Sequence, residues 1–119
     1  MTLRVKENVI LEQSFRFALE TKQFCRRLRA IQEYDLARQL FRSGTSIGAN
    51  VEEAQAAQSR PDFLSKMSIA SKEARESHYW LRLLNEDTTC DLKPCASYLS
   101  ECEELVRILT AIVKSTGQG

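Results

Sequence analysis

Residues Arg42–Ala57 read RSGTSIGANVEEAQAA, and the reading of this stretch decides the fold. It carries small residues where a helix interior usually carries long ones. Gly44 and Gly48 stand at i and i+4, and each costs a helix about 1 kcal/mol relative to alanine. One reading makes Ser43–Gly48 a loop, and a Gly/Ser loop can cradle phosphate. A P-loop, however, needs Gly-Lys-Ser/Thr after a strand, and neither is present. The other reading keeps one helix across the stretch, with Ser43, Gly44, Gly48 and Ala49 letting a neighbour approach closely. Leu36, Ala37, Leu40, Phe41, Gly44, Ile47, Gly48, Val51 and Ala54 hold helical spacing on both sides without a change of phase. That continuity favours a helix over residues 35–58.

Working outward, the preceding segment predicts a first helix over 7–30. Leu11, Phe15, Ala18, Cys25 and Leu28 form one apolar column, and Phe17, Phe24 and Ile31 a second. Downstream, Ser59 and Asp62 make a capping-box-like start with Pro61 in the first turn. The third helix then covers 60–85, with Phe63, Met67, Ala70, Ala74, Ser77, Leu81 and Leu84 on one stripe and Ile69, Trp80 and Leu83 beside it. The polar segment Asn85–Lys93 is short, so the next helix returns antiparallel. Pro94 reads as its first residue, and the helix runs over 94–114. Tyr98, Cys102, Leu105, Leu109 and Ile112 form its inner stripe, flanked by Leu99, Val106 and Val113. Ser115–Gly119 reads as a frayed tail.

The 119 residues fit a single domain, 1–119, long enough to bury a core without disulfides. With only four glycines and two prolines, turns are few and elements long. Strand-type alternation is never sustained. The expected fold class is all-α, an up-down-up-down antiparallel four-helix bundle. The start of the chain lacks the apolar stretch and cleavage site of a signal peptide, and no run approaches a membrane span. The expected location is the cytoplasm, with no membrane partner and with Cys25, Cys90, Cys95 and Cys102 as thiols.

Net charge is +1, which names no polyanionic partner by itself. The distribution is uneven. Residues 1–42 hold nine Lys/Arg against five Asp/Glu, whereas residues 43–119 hold eight against eleven. Arg26, Arg27, Arg29, Arg38 and Arg42 concentrate the excess and are the candidate nucleic-acid-binding residues; a solvated helix face is the plainer account.

Catalytic chemistry finds little to work with. A di-iron bundle site needs Glu-x-x-His from two helices, but the single histidine, His78, lies two residues after Glu76. A nucleophilic set would have to use that same His78. The spacing Cys90-x4-Cys95-x6-Cys102 fits no common zinc pattern. No catalytic residue, cofactor or metal ligand is assigned. Glu52, Glu53, Glu73 and Glu76 read instead as partners for Arg42, Lys72 and Arg75. Asn50, close to the apolar face of the second helix, is expected to bond groups on the third helix and set register. Tyr79 and Trp80 are adjacent on a helix, so one packs inward and the other faces solvent or a partner. The second apolar columns exceed what one core needs, which points to self-association.

The segments QLFRSGTSIGANVEEAQAAQS and DFLSKMSIASKEARESHYWLRLL, between Gln39 and Leu84, resemble the bacterial four-helix-bundle proteins named after 23S rRNA intervening sequences. The resemblance rests on Arg42-Ser43, Thr45-Ser46-Ile47, Asn50, Glu53-Ala54, Lys72-Glu73, Glu76 and Tyr79-Trp80. With Gly44 and Gly48, the residues Ser43, Ser46, Asn50, Glu53, Glu73, Glu76 and Trp80 are expected to be architectural. The resemblance implies a cytosolic bundle that assembles into a ring, often a pentamer, without enzymatic activity or cofactor. The family is also similar to the accessory protein of diversity-generating retroelements, a pentameric barrel that binds nucleic acid and a reverse transcriptase. The expected function is therefore an oligomeric scaffold or accessory protein whose partners are itself and another protein, with RNA or DNA binding through a basic face as the alternative.

Overall fold

The computed structural model describes residues 3–118, with side chains from Val9 to Gln118. Its helices are α1 (Leu3–Ala30), α2 (Tyr34–Gln55), α3 (Arg60–Glu86) and α4 (Ala96–Gln118). α1 packs on α2, α2 on α3, α3 on α4, and α4 back on α1. This is an all-α four-helix bundle, 46 × 22 × 19 Å in extent. The decisive stretch is helical throughout, and Ser43, Gly44, Ile47, Gly48, Val51 and Ala54 are all buried.

The turn after α1 has a local cause that composition conceals. Gln32 takes a left-handed φ of 67°. The Gln32 N–H donates to the Arg29 carbonyl at 3.0 Å and the Glu33 N–H to the Leu28 carbonyl at 2.9 Å. This is a Schellman closure with glutamine at the position glycine usually fills. α3 starts as the cap residues predict: Ser59 Oγ accepts from the Asp62 N–H at 3.2 Å. The Asp62 carboxylate in turn accepts from the Gln58 N–H at 3.2 Å.

Several boundaries and faces differ from expectation. α1 begins at Leu3 rather than residue 7, and α2 ends at Gln55 rather than 58. Pro94 is not the first helical residue. It is buried in the preceding loop, and the first bond of α4 runs from the Leu99 N–H to the Cys95 carbonyl at 3.1 Å. The last turn of α4 is not a frayed tail. Arg60, at the start of α3, donates through Nε (3.1 Å) and Nη2 (2.8 Å) to the Thr116 carbonyl and holds the helix to Gln118. Gly119, the end of the expected tail, lies outside the described residues.

The inner face of α1 also departs from the apolar columns. Phe17, Phe24, Cys25 and Leu28 are buried, but Phe15 and Ile31 are exposed. The true inward line passes through two polar residues, Ser14 and Thr21, both buried. Their small side chains lie where the glycines of α2 come closest. A Cβ on Gly44 would meet Thr21 Cγ2 at 2.7 Å and Oγ1 at 2.9 Å, and one on Gly48 would meet the Ser14 carbonyl oxygen at 3.3 Å. Thr21 cannot swing aside, because its hydroxyl is bonded to the Tyr98 hydroxyl of α4 at 2.7 Å. Tyr98 is fixed in turn by stacking on Phe17, with centroids 5.0 Å apart, and by Phe24 at 5.5 Å. The glycines are thus a steric requirement of the core, despite their helix-propensity cost.

Gly44→Ala tests this. Overpacking costs about 1–3 kcal/mol, whereas helix propensity returns about 1 kcal/mol. The substitution should lower the midpoint of chemical denaturation. Adding Thr21→Ala should recover only part of the loss, because it opens space but leaves the Tyr98 hydroxyl without its partner.

Candidate functional site

The polar residues of the second and third helices converge on the α2–α3 seam. Arg42 is the pivot. Its Nη1 donates to Glu73 Oε2 at 2.8 Å, and its Nη2 pairs with Glu76. Glu76 also accepts from Trp80 Nε1 at 3.2 Å, one turn further along α3. Two turns toward the far end, Lys66 Nζ bonds Glu53 Oε1 at 2.9 Å; that hydrogen bond and the charges of Glu53 and Asp62 favour the Lys66 ammonium. Beneath the ion pairs, Ser77 Oγ donates to Ser43 Oγ at 2.8 Å, and Ser43 Oγ donates to the Leu40 carbonyl at 3.4 Å, both bonds fully buried. The seam therefore has a charged outer rail and a buried hydroxyl rail, which together fix which face of α3 meets α2.

Asn50 takes a different role from the one expected. Its amide donates to the Ser46 carbonyl at 2.9 Å and to Ser46 Oγ at 3.1 Å, so it stays within its own helix. The i,i−4 geometry satisfies the amide locally, leaving cross-helix register to Ser43–Ser77 and Arg42. Arg75 likewise does not pair with the acids of the seam; its Nη2 donates to Thr110 Oγ1 on α4 at 2.9 Å. Trp80 is half-buried against the core, whereas Tyr79 is 51% exposed, its ring set edge-on to the indole at 5.2 Å.

The five candidate arginines do not form one site. Arg42 is committed to Glu73 and Glu76, and Arg38 pairs with Asp35 at 3.3 Å. Arg26, Arg27 and Arg29 are exposed near the end of α1. Arg27 lies over the Phe24 ring at 6.0 Å and Arg29 over the Phe41 ring at 5.9 Å, with no carboxylate in ion-pair reach among the described residues. His78 Nε2 is 3.6 Å from Glu103. Among the described residues no three His, Cys, Asp or Glu side chains converge as metal ligands would. The four cysteines are free. Burial pushes the Cys25 thiol up to about 11 and the Cys102 thiol up to about 12, so neither is a ready nucleophile.

Two apolar depressions lie outside the charged rail. The first, 330 Å³, sits between α1 and α2; its floor includes Ser14, Ala18, Thr45, Gly48 and Ala49, and Leu11, Phe15 and Glu52 complete its lining. The second, 420 Å³, lies at the α2–α3 end beside Leu36, Tyr79 and Leu83, with Arg82, Glu86 and Asp87 at its edge. Phe15 is 60% exposed and Leu83 43%.

A sequence model of the 23S rRNA-intervening sequence protein family matches residues 6–111. The chain belongs to that family. It is also similar to a crystal structure of a protein of unknown function from the S23 ribosomal protein family of Bacteroides thetaiotaomicron. The two share 39% identity, the match covers 92% of this chain and 98% of that one, and the TM-score is 0.83. No curated protein matches the chain. The matched range includes α2 and α3 whole, so every residue of the polar seam falls inside it.

A double-mutant cycle on Arg42 and Glu73 measures the outer rail. Glu73 is 15% exposed and Arg42 50%, so the pair is partly screened and the coupling should be about 1 kcal/mol. It should shrink as salt rises to about 1 M, where the screening length is roughly 3 Å. The fluorescence of Trp80 reports the same change, since its indole shares Glu76.

Proposed function

We propose that this family member is a non-enzymatic scaffold or accessory protein that works as an assembly of identical copies. The observation that carries this reading is the paired apolar relief. One face offers a groove floored by small side chains between α1 and α2, and another presents Tyr79 and Leu83 outward from α3. A ridge of one copy seated in the groove of the next is a heterologous contact, which closes into a ring or runs on as a fibre. The resemblance to ring-forming bundles favours closure, with a pentamer as the expected number. The commitment of Glu73, Glu76 and Arg42 to one another supports a structural role for the seam. No helix among the described residues is long and apolar enough to cross a membrane.

Light scattering tests the assembly. The wild type should be oligomeric at micromolar concentration, and a monomer there overturns the proposal. Ala49 is exposed on the groove floor, so Ala49→Glu should dissociate the oligomer while far-UV dichroism and melting of the protomer stay intact.

The second reading, RNA or DNA binding, keeps Arg26, Arg27 and Arg29 as its carriers, because those three are exposed without carboxylate partners among the described residues. Copies in a ring would repeat the cluster and add avidity. Anisotropy with duplex DNA and with single-stranded RNA should then show binding that weakens with salt. The logarithmic slope should be about −0.9 for each phosphate neutralised on duplex DNA. Absence of binding at low salt removes this reading and leaves the scaffold untouched.

A further inference from the structure

Two helix faces turn away from the core and still carry large apolar side chains. On α1 these are Phe15 and Leu19, and on α3 Tyr79 and Leu83; all four are exposed. Each pair is bracketed by charges. Glu12 precedes Phe15 and Arg26 follows Leu19, whereas Lys72 precedes Tyr79 and Glu86 follows Leu83. The steps along the chain are three, four and seven on α1 and seven, four and three on α3, spacings that keep each set on one helix face. The four charged residues are exposed, and none has an ion-pair partner among the described residues.

The two sets match in length and oppose in sign. Glu12 and Arg26 are 14 residues apart, as are Lys72 and Glu86, a rise of about 21 Å in each helix. From N- to C-terminus α1 runs acid to base, and α3 runs base to acid. Separated by one antiparallel helix, α1 and α3 run in the same direction in the bundle. Copies related by rotation about an axis along the bundle therefore present α3 of one to α1 of the next in parallel. In one register Glu12 meets Lys72, Arg26 meets Glu86 and Leu19 lies opposite Tyr79. An antiparallel pairing of the same two faces sets Glu12 against Glu86 and Arg26 against Lys72, with repulsion at both ends. The surface relief agrees with the parallel register. Leu19 is the neighbour of Ala18 in the α1–α2 groove, and Glu86 edges the depression beside Tyr79 and Leu83.

We propose that the outer face of α3 docks in parallel on the outer face of α1 of a second copy, beside the α1–α2 groove, in the register set by Glu12–Lys72 and Arg26–Glu86. This rests on the reading of the protein as an assembly of identical copies and supplies the orientation of its contact. The apolar residues give the contact its affinity, and the exposed charge pairs choose partner and register. Arg26 then serves the neighbouring copy, which leaves Arg27 and Arg29 to any phosphate.

The test reverses the charges one helix at a time. Glu12→Lys with Arg26→Glu, or Lys72→Glu with Glu86→Lys, turns two attractions into two repulsions and should weaken association on the order of tenfold per contact. A chain carrying all four reversals should associate as the wild type does. Light scattering and sedimentation read the assembly, and far-UV dichroism checks that each protomer is folded. A twofold contact of α1 with α1, or of α3 with α3, would instead be unmoved when both charges of that helix are reversed. On wild-type chains refolded together with isotope-labelled ones, zero-length carbodiimide coupling should join Glu12 to Lys72 between copies. A wild type that is monomeric at micromolar concentration removes the assembly itself and this contact with it. A wild-type oligomer that withstands either helix reversal, or that the four reversals together fail to restore, leaves the assembly standing and overturns this docking.

Discussion

The close approach of α1 and α2 is the constraint on which the rest of the bundle depends. Gly44 leaves room for Thr21, Thr21 bonds Tyr98, and Tyr98 stacks between Phe17 and Phe24. One missing side chain on α2 therefore positions a residue on α4, by way of Thr21 on α1. Burying the Thr21 and Tyr98 hydroxyls is tolerable only because each is the other's partner. The glycine spacing, the polar interruptions in α1 and the tyrosine in α4 form a single packing solution.

The second organising contact lies across the next seam and works differently. α2 and α3 are matched by hydroxyls and charges rather than by a steric gap. Ser43–Ser77 is buried, and Arg42 spans two carboxylates above it. A sliding or rotated α3 would leave both serine hydroxyls and the largely buried Glu73 without partners, at about 1–3 kcal/mol per buried group. The ion pairs themselves are too exposed to add much stability. Their value is in making the wrong registers worse. Arg42, Ser43, Glu73 and Glu76, four of the residues on which the family resemblance rests, lie at this second contact.

The fold was largely legible in the sequence because three of the four inner faces are written in apolar residues. Met67, Ala70, Ala74, Leu81 and Leu84 on α3, and Cys102, Leu105, Leu109 and Ile112 on α4, follow helical spacing and are buried as it predicts. α1 was misread for a definite reason. A search for apolar periodicity passes over Ser14 and Thr21, so it rotates the face toward Phe15. The signal was present in α2, where two glycines in a stripe require small, satisfiable residues opposite. The α1–α2 turn was hidden because glutamine stands where glycine would announce it. Asn50 looked like a cross-helix donor, but its spacing from Ser46 supplied a nearer acceptor. Lys66–Glu53 and the Arg60 clamp on Thr116 join residues on different helices, and no local pattern reveals such pairs.

The two surplus apolar faces and the α1–α4 seam lie on different sides of the same bundle. α1–α2 and α2–α3 are the seams held by glycine packing and by the polar rails, so surfaces built on them have rigid backing. α1–α4 is joined by Tyr98, stacked on Phe17 and bonded to Thr21, and at the surface by Gln13 and Glu104.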